Sequence, residues 1–248
     1  MKNGTCAVMN LDDAYQAYKN GTPLKEIISE EIRVINSTYR RDLDPFSWVR
    51  NYQDVKNRLF IRVSNAERNE QALKDAVHKI VDGIAITYHV LINDGNGEVA
   101  SAIVNNYLFE KWGIDAETLH NDALKSSENL YPAVARNMAQ VLKVDDVELK
   151  NDFKKEILLT NTRSLNGASA MFYPGVLNQL TTHAGFEKAC IVPLSIHEVL
   201  VCPYDGTESA RKNALMGMLE TCGMDDFLSD MIYTYDRNTD KVSLLSEA

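Results

Sequence analysis

Cysteine, long apolar runs and low-complexity stretches are all scarce in this sequence. Only four of its 248 residues are cysteine, 45% are hydrophobic and 25% are charged, and this composition excludes disulfide-scaffold, collagen-like and disordered chains. No stretch approaches the ~20 uncharged apolar residues that span a bilayer. Asp12 and Asp13 precede any long apolar run, which is unlike a secretory signal. These absences predict a soluble, cytoplasmic globular protein with no membrane partner.

The four cysteines fall in no C-x-x-C pair and in no zinc-ribbon spacing. Without a secretory signal, we expect reduced thiols in a cytoplasm. Cys190 and Cys202 flank a predicted hairpin, where the two side chains could face each other, and the sequence leaves their redox state open.

Charge of one sign dominates the chain. Thirty-five acidic residues against 26 basic residues give a net charge of −9. An anionic protein is repelled by phosphate backbones, so direct non-specific binding to nucleic acid is disfavoured. The acidic surface serves solubility, and it also suits docking on a basic protein partner, so both interpretations stay open.

Apolar spacing predicts helices in the first part of the chain and a mixture of helices and strands after it. Helices are predicted to begin near Asn10, Pro23, Pro45, Asp115, Pro132, Pro174 and Thr207. Strands are predicted at 59–63, 84–92, 98–105, 157–159, 189–193, 197–202, 231–235 and 241–245. The stretch 70–81 is ambiguous. Because the explicit hairpins do not alternate as βαβ units, the fold class is α+β, with antiparallel or mixed sheets flanked by helices.

The acidic stretch 145–148 is the best candidate for a junction between two parts of the chain. The predicted organisation is a helical N-terminal segment at 1–57, a first α+β half at 58–146 and a second α+β half at 147–248.

One candidate site is the segment Ser195-Ile196-His197-Glu198. Ser195 and His197 could act as nucleophile and base, with Glu198 in support. If 197–202 is a strand, however, His197 and Glu198 point to opposite faces. No second histidine completes a zincin motif and no G-x-S-x-G elbow surrounds the serine. Side chains that bond the backbone of their own turn are the alternative.

The other candidate is the polar loop 160–167, where Asn161, Arg163, Asn166 and Gly167 could cradle an anion with backbone N–H groups and a guanidinium. The loop has neither the P-loop order nor the G-x-G-x-x-G order of a dinucleotide site. Alternatively, Asn166 and Gly167 simply supply turn geometry.

The histidines at 78, 89, 120, 183 and 197 are scattered, and no pair lies three or four residues apart. We therefore predict no metal site, and we predict no cofactor.

Four stretches carry a resemblance to a known family. They are 158–173 (LLTNTRSLNGASAMFY), 191–203 (IVPLSIHEVLVCP), 109–114 (FEKWGI) and 233–237 (YTYDR). These motifs resemble a family of uncharacterised bacterial proteins, the domain-of-unknown-function family numbered 5688, although Leu194 departs from its serine pair. The layout is more distantly similar to the YtpQ-like family. The resemblance implies a cytoplasmic protein of bacterial or mobile-element origin, and it brings no reaction or catalytic residue.

The sequence favours a non-catalytic protein-interaction module that acts on a host machine. The acidic balance and the absence of a cofactor loop or a matched catalytic set support this hypothesis. A hydrolase-type enzyme and a small anion-binding module are the alternatives, and both require loops 160–167 and 194–198 to meet.

Overall fold

The computed structural model describes residues 11–38, 47–95, 98–141, 143, 155–207, 210, 213 and 226–245. The chain forms two compact units, Met1–Asn51 and Tyr52–Ala248. The fold is α+β, as predicted. The boundaries predicted at 57–58 and 146–147 stay predictions, and the junction 145–148 and most of the helix predicted from Thr207 lie outside the described residues.

The first unit contains two helices that pack on each other. They are α1 (Leu11–Lys19) and α2 (Leu24–Thr38), and a 3-10 turn follows at Ser47–Arg50. The chain leaves α1 through Gly21, whose φ of +93° favours glycine. The helices predicted from Asn10 and Pro23 are confirmed, whereas the helix predicted from Pro45 is wrong, since only short helical turns form over the described residues 47–58. Helix α2 starts directly after a proline, which lacks the N–H that a first turn leaves unpaired.

The second unit holds the sheets and six further helices among its described residues. The helices are α3 (Tyr52–Val55), α4 (Glu70–Leu73), α5 (Asn106–Trp112), α6 (Ala116–Leu130), α7 (Met138–Val141) and α8 (Val176–Ala184). The strands are β1 (Leu59–Asn65), β2 (His78–Val81), β3 (Ile84–Gly95), β4 (Glu98–Ile103), β5 (Ala133–Asn137), β6 (Ile157–Asn161), β7 (Lys188–Pro193), β8 (Val199–Pro203), β9 (Tyr233–Asp236) and β10 (Lys241–Leu244). Short 3-10 helices lie at Lys56–Arg58 and Gly167–Phe172.

The first sheet is built around the long strand β3, which pairs antiparallel with all its neighbours. Strand β1 lies on one side of β3, and β2 and β4 follow each other along the other side. The predicted strands at 59–63 and 84–92 are confirmed. Strand β2 lies in the ambiguous stretch 70–81, where only four residues form the strand and a short helix precedes it.

Helix α6 covers the outer edge of β1. Asp115 caps the helix as predicted, because its carboxylate accepts the N–H of Thr118 at 2.7 Å. On the sheet side, the Ile61 N–H donates to the Ser127 hydroxyl at 2.9 Å, and that hydroxyl donates to the Ala123 carbonyl. An edge-strand donor is thereby satisfied inside the protein.

The second sheet has the order β10-β9-β7-β8-β6-β5, and every pair is antiparallel. Its predicted strands are confirmed except for the starts of β8 and β9, which begin at Val199 and Tyr233 and not at residues 197 and 231. Cys190 and Cys202 face each other in register, and the Cys202 thiol donates to the Cys190 carbonyl at 3.6 Å.

The helix predicted from Pro132 is wrong. Residues Ala133–Asn137 form β5 because they pair with all five residues of β6, from Ala133 opposite Asn161 to Asn137 opposite Ile157. The helical spacing is realised only in α7. Tertiary pairing therefore overrides local propensity in this segment.

Hydrogen bonds join the two sheets within the second unit. Asp82, in the turn between β2 and β3, accepts the Tyr233 hydroxyl at its carbonyl and the Leu244 N–H at its carboxylate, both at 2.8 Å. The Asn65 amide donates to the Leu228 carbonyl at 3.1 Å. These contacts fix the spacing of the sheets. None of the described helices has the length and apolarity needed to cross a membrane.

Candidate functional site

The two loops singled out by the sequence meet in the structure. The Asn166 N–H donates to Nδ1 of His197 at 3.0 Å, and the Thr160 hydroxyl donates to the His197 carbonyl at 2.9 Å. The Ala168 N–H donates to the Ile196 carbonyl at 3.2 Å. Loop 194–198 therefore braces loop 160–167 through a set of direct hydrogen bonds.

Residues 194–198 form a tight turn before β8, so the extended conformation predicted for His197 is wrong. The N–H groups of Leu194 and Ser195 both donate to the Glu198 carbonyl, at 3.1 and 3.2 Å. The Ser195 hydroxyl accepts the His197 backbone N–H at 3.0 Å. Within the described part of the chain this hydroxyl makes no hydrogen bond to the imidazole, so the pair lacks the contact that a nucleophile and base require. Glu198 contributes its carbonyl to the turn, and its side chain is half-buried.

The hydrogen bonds of the imidazole fix its tautomer. Because Nδ1 of His197 accepts the Asn166 N–H, the proton of the neutral ring lies on Nε2. Nε2 then donates to the Asp226 carboxylate at 3.2 Å. Asp226 is a partner that the sequence analysis missed, since it lies 29 residues away from the histidine. Both ring nitrogens are thus used in holding the turn.

Gly167 lies where loop 160–167 passes closest to the His197 turn. A Cβ atom at this position would lie 2.5 Å from the His197 carbonyl oxygen and 2.7 Å from the Asn161 backbone nitrogen, and it would overlap the Thr160 hydroxyl. Glycine is required here by this close approach. The predicted turn role belongs to Asn166, whose φ of 52° is left-handed.

Asn161 holds the rest of the loop in place. It ends β6 and is buried. Its side-chain oxygen accepts the Arg163 N–H at 3.0 Å, and its side-chain nitrogen donates to the Leu165 carbonyl at 3.0 Å. The loop backbone is thereby fixed, while the Arg163 guanidinium reaches out to form an ion pair with Asp94 of β3.

A small cavity of about 20 Å³ lies against this loop. It is located between β1 of the first sheet and the 3-10 helix Gly167–Phe172, which follows β6 of the second sheet. Its described lining consists of Phe60, Ile61, Arg62, Tyr131, Asn161, Arg163, Leu165, Asn166, Ser169 and Tyr173. Three of the four predicted ligand-binding residues, Asn161, Arg163 and Asn166, therefore line one cavity. A volume of this size takes about one water-sized group.

Two hydrogen-bond donors in the cavity wall have no partner within the part of the chain that the structure describes. Nε of Arg62 and the hydroxyl of Tyr131 are buried, and neither has a hydrogen-bond partner among the described residues. Tyr131 is 94% buried, with 6% of its surface exposed. The other end of the Arg62 guanidinium donates to the Ser101 hydroxyl at 3.1 Å. Buried polar groups are nearly always hydrogen-bonded, so two such donors in one small space are unusual.

Burial changes the titration of the groups around this cavity. It lowers the pKa of the Arg62 guanidinium and raises the pKa of the Tyr131 hydroxyl, which the nearby Arg62 charge partly offsets. Burial, followed by the Arg62 charge, lowers the pKa of His89 to about 3. The Phe60 ring contacts two of these groups, with its centroid 5.3 Å from the guanidinium carbon of Arg62 and 5.4 Å from the His89 ring centroid. Arg62 forms no ion pair with any carboxylate of the described ranges, so its charge lacks a close counter-charge there.

The sequence analysis missed Arg62 and Tyr131. Arg62 alternates with apolar residues in β1, as an outward-facing polar residue of a strand does, and Tyr131 ends α6 beside a proline. No short motif joins residues that lie 69 positions apart in the chain. Only the packing of α6 against β1 brings them together.

In the part of the chain that the structure describes, no three metal-ligating side chains of histidine, cysteine, aspartate or glutamate cluster. The expectation that the protein holds no metal and no cofactor stays a prediction.

The sequence profile of DUF5688, a family of unknown function, matches residues 2–237. The chain belongs to the DUF5688 family. No curated protein and no solved structure matches it. Membership in DUF5688 confirms the resemblance to family 5688, and it assigns no reaction to the chain because the function of the family is unknown. The similarity to the YtpQ-like family and a bacterial origin stay predictions.

Proposed function

We propose that this DUF5688 protein is a ligand-binding module that holds a small anion between its two sheets. One observation carries the proposal. Nε of the half-buried Arg62 and the Tyr131 hydroxyl line the same cavity as buried donors, and no described residue accepts from either of them. A buried donor without a partner is costly, and an anion supplies both the hydrogen-bond acceptor and a counter-charge for the guanidinium.

The chemistry of the lining supports an anion over a neutral guest. The two charged side chains among its described residues, Arg62 and Arg163, are both cationic. A water molecule of the same size would accept the hydrogen bonds but would leave the Arg62 charge uncompensated. The Asn161 side chain is already committed to the loop backbone, so the orphaned donors of Arg62 and Tyr131 set the preference of the site.

The two predicted loops have different parts in this proposal. Loop 160–167 lines the cavity, and loop 194–198 supports it from behind through His197. This arrangement favours the small anion-binding alternative over a hydrolase, because both nitrogens of the His197 ring bond other groups and neither of them bonds the Ser195 hydroxyl.

Thermal unfolding in the presence of chloride, acetate or inorganic phosphate, at constant ionic strength, tests this function. An anion present at 100 times its Kd adds about 2.7 kcal/mol to the free energy of unfolding. We expect at least one anion to raise Tm in the wild-type protein and to have no effect on Arg62→Met. Arg136→Met, which removes an exposed arginine of β5 outside the cavity, is the matched control and keeps the wild-type response. An unchanged Tm with all three anions, or an equal rise in Arg62→Met, would contradict the proposal.

A protein partner is the second candidate, and one observation favours it. Helices α1 and α2 expose large apolar side chains, each 44–57% accessible: Tyr15, Tyr18, Leu24, Ile28 and Ile32. Exposed apolar patches mark protein-interaction surfaces when they are contiguous. The occupant we propose is an apolar helix face of a cytoplasmic partner protein.

A pull-down from the cells that encode the protein tests this second candidate. We expect the wild-type chain to recover a partner that the variant Ile28→Lys/Ile32→Lys loses. Recovery of nothing above background, or of the same proteins by both chains, counts against it.

A further inference from the structure

The enclosed part of the cavity is smaller than the ligands that its charge would suit best. A carboxylate carries three heavy atoms and a phosphate carries five, whereas about 20 Å³ takes about one water-sized group. A monatomic anion fits beside Arg62 as the structure stands. An oxyanion extends beyond this enclosed part, towards the side on which the cavity is open.

The lining residues differ in how firmly they are held. The Asn161 side chain is bonded to the backbone of Arg163 and Leu165, and Ser169 is bonded to the Asn166 carbonyl at 2.8 Å and to the Tyr173 hydroxyl at 3.3 Å. The side chains of Arg163 and Leu165, in contrast, are 35% and 48% exposed. These two can move outward without breaking a described backbone hydrogen bond.

The Arg163 guanidinium is held by an ion pair with Asp94, whose side chain is 30% exposed. The pair joins the loop of the second sheet to the end of β3 in the first sheet, next to the cavity. The Asp94 carboxylate of the chain itself is thus paired with Arg163, the second cationic side chain of the cavity lining. Ion pairs that are partly exposed contribute little stability, so a ligand can replace this one at low cost.

On the basis of the proposed function, we infer that the ligand is an oxyanion, with carboxylate or phosphate chemistry, and that Asp94 is its internal competitor for Arg163. One ligand oxygen lies between Arg62 and Tyr131, and another takes the place of Asp94 on Arg163. The exchange conserves the number of ion pairs at Arg163 and gives Arg62 a counter-charge. Guanidinium groups match the fork geometry of both oxyanions.

Asp94→Asn tests this inference, with Asp236→Asn as the matched control. Both substitutions remove one negative charge from an ion pair, and the two aspartate side chains are 30% and 29% exposed. Asp236 pairs with Lys188, which, unlike Arg163, does not line the cavity. Isothermal titration gives the Kd of each protein for chloride, acetate and inorganic phosphate separately.

We expect Asp94→Asn to tighten acetate or phosphate binding about three- to fivefold, which corresponds to releasing one partly exposed ion pair. Asp236→Asn changes the Kd less than twofold, and chloride binding responds equally to both variants because chloride needs no exchange at Arg163. The acetate and phosphate arms identify which oxyanion the site prefers.

The outcomes separate this inference from the proposed function. If the wild-type protein binds an anion through Arg62 but Asp94→Asn and Asp236→Asn have the same Kd for acetate and for phosphate, the competitor role is wrong and the site still stands. If Asp94→Asn, and not Asp236→Asn, lowers the Kd for chloride as much as the Kd for the oxyanions, the replacement of Asp94 by the ligand at Arg163 is also wrong. If no anion binds the wild-type protein, the proposed function fails as well.

Discussion

The turn at 194–198 and the cavity beside Arg62 share one loop, and they differ in how far the protein satisfies its own polar groups. In the turn, both ring nitrogens of His197, the Ser195 hydroxyl and the Glu198 carbonyl all have partners. In the cavity, Nε of Arg62 and the Tyr131 hydroxyl have none among the residues described.

This difference indicates which polar groups remain free to bind a ligand. A Ser-x-His-Glu segment attracts attention in a sequence because its side chains can do chemistry. Here those groups are committed to holding a loop, so they have little left to offer a ligand. The donors without partners are an arginine and a tyrosine that no motif marks.

The largest expected loss of stability comes from a substitution at Gly167, where loop 160–167 meets the turn at 194–198. Gly167→Ala places a methyl group 2.5 Å from the His197 carbonyl oxygen and 2.7 Å from the Asn161 nitrogen. Since backbone atoms cannot yield as a flexible side chain does, we expect a loss of about 3 kcal/mol or more in the free energy of unfolding. Urea denaturation followed by circular dichroism measures it.

Gly185→Ala is the control for this change. Gly185 has a φ of +77° and nothing within 4 Å of an added Cβ, so its substitution carries only the conformational cost of about 1 kcal/mol. Equal losses in the two variants would show that the close approach at Gly167 does not constrain the loop.

The next effect concerns the cavity side and depends on pH. The pKa of His89 is about 3 in the folded protein, chiefly because of burial and also because of the Arg62 charge, against about 6.5 in the unfolded chain. Between these values the unfolded chain binds more protons, so stability falls as the pH is lowered from 6.5 towards 3. The slope reaches about 1.4 kcal/mol per pH unit.

His89→Gln removes this contribution while keeping a polar group near the Thr87 hydroxyl, which lies 3.0 Å from Nε2 of the histidine. Unfolding free energies measured between pH 7 and pH 5 should converge for the two proteins as the pH falls. Parallel curves would mean that His89 does not titrate as its burial requires.

The smallest effect compares two buried tyrosines. Tyr233→Phe removes a hydroxyl that donates to the Asp82 carbonyl at 2.8 Å, and we expect it to cost about 1–2 kcal/mol. Tyr131→Phe removes a hydroxyl that no described residue bonds, and we expect a change within about 0.5 kcal/mol in anion-free buffer. A larger loss in Tyr131→Phe than in Tyr233→Phe contradicts the contrast between the two regions.

Much of the fold could be predicted from local patterns. Alternation of apolar and polar residues located β1 and β3, and the Asp115 cap located the start of α6. The pattern failed for Ala133–Asn137, whose helical spacing is overridden by pairing with β6. Strand β2 was missed because four residues carry too little periodicity to be told from a helix or a loop.

The residues of the candidate site likewise divide into those that local patterns predicted and those that they did not. Loop 160–167 was found because polar and small residues after a buried strand are visible in sequence, and Asn161, Arg163 and Asn166 line the cavity. Arg62 and Tyr131 come from β1 and the end of α6, and their meeting depends on how α6 packs on β1. That packing rests on distant contacts such as the Ile61 N–H with the Ser127 hydroxyl, which no local pattern encodes.

A crystal structure of the protein soaked in sodium bromide tests the central claim most directly, because bromide is a monatomic anion that anomalous scattering locates. We predict a bromide ion within hydrogen-bond distance of both Arg62 Nε and the Tyr131 hydroxyl. Bromide at the protein surface alone, with neither donor in contact with it, would contradict an anion site between the sheets.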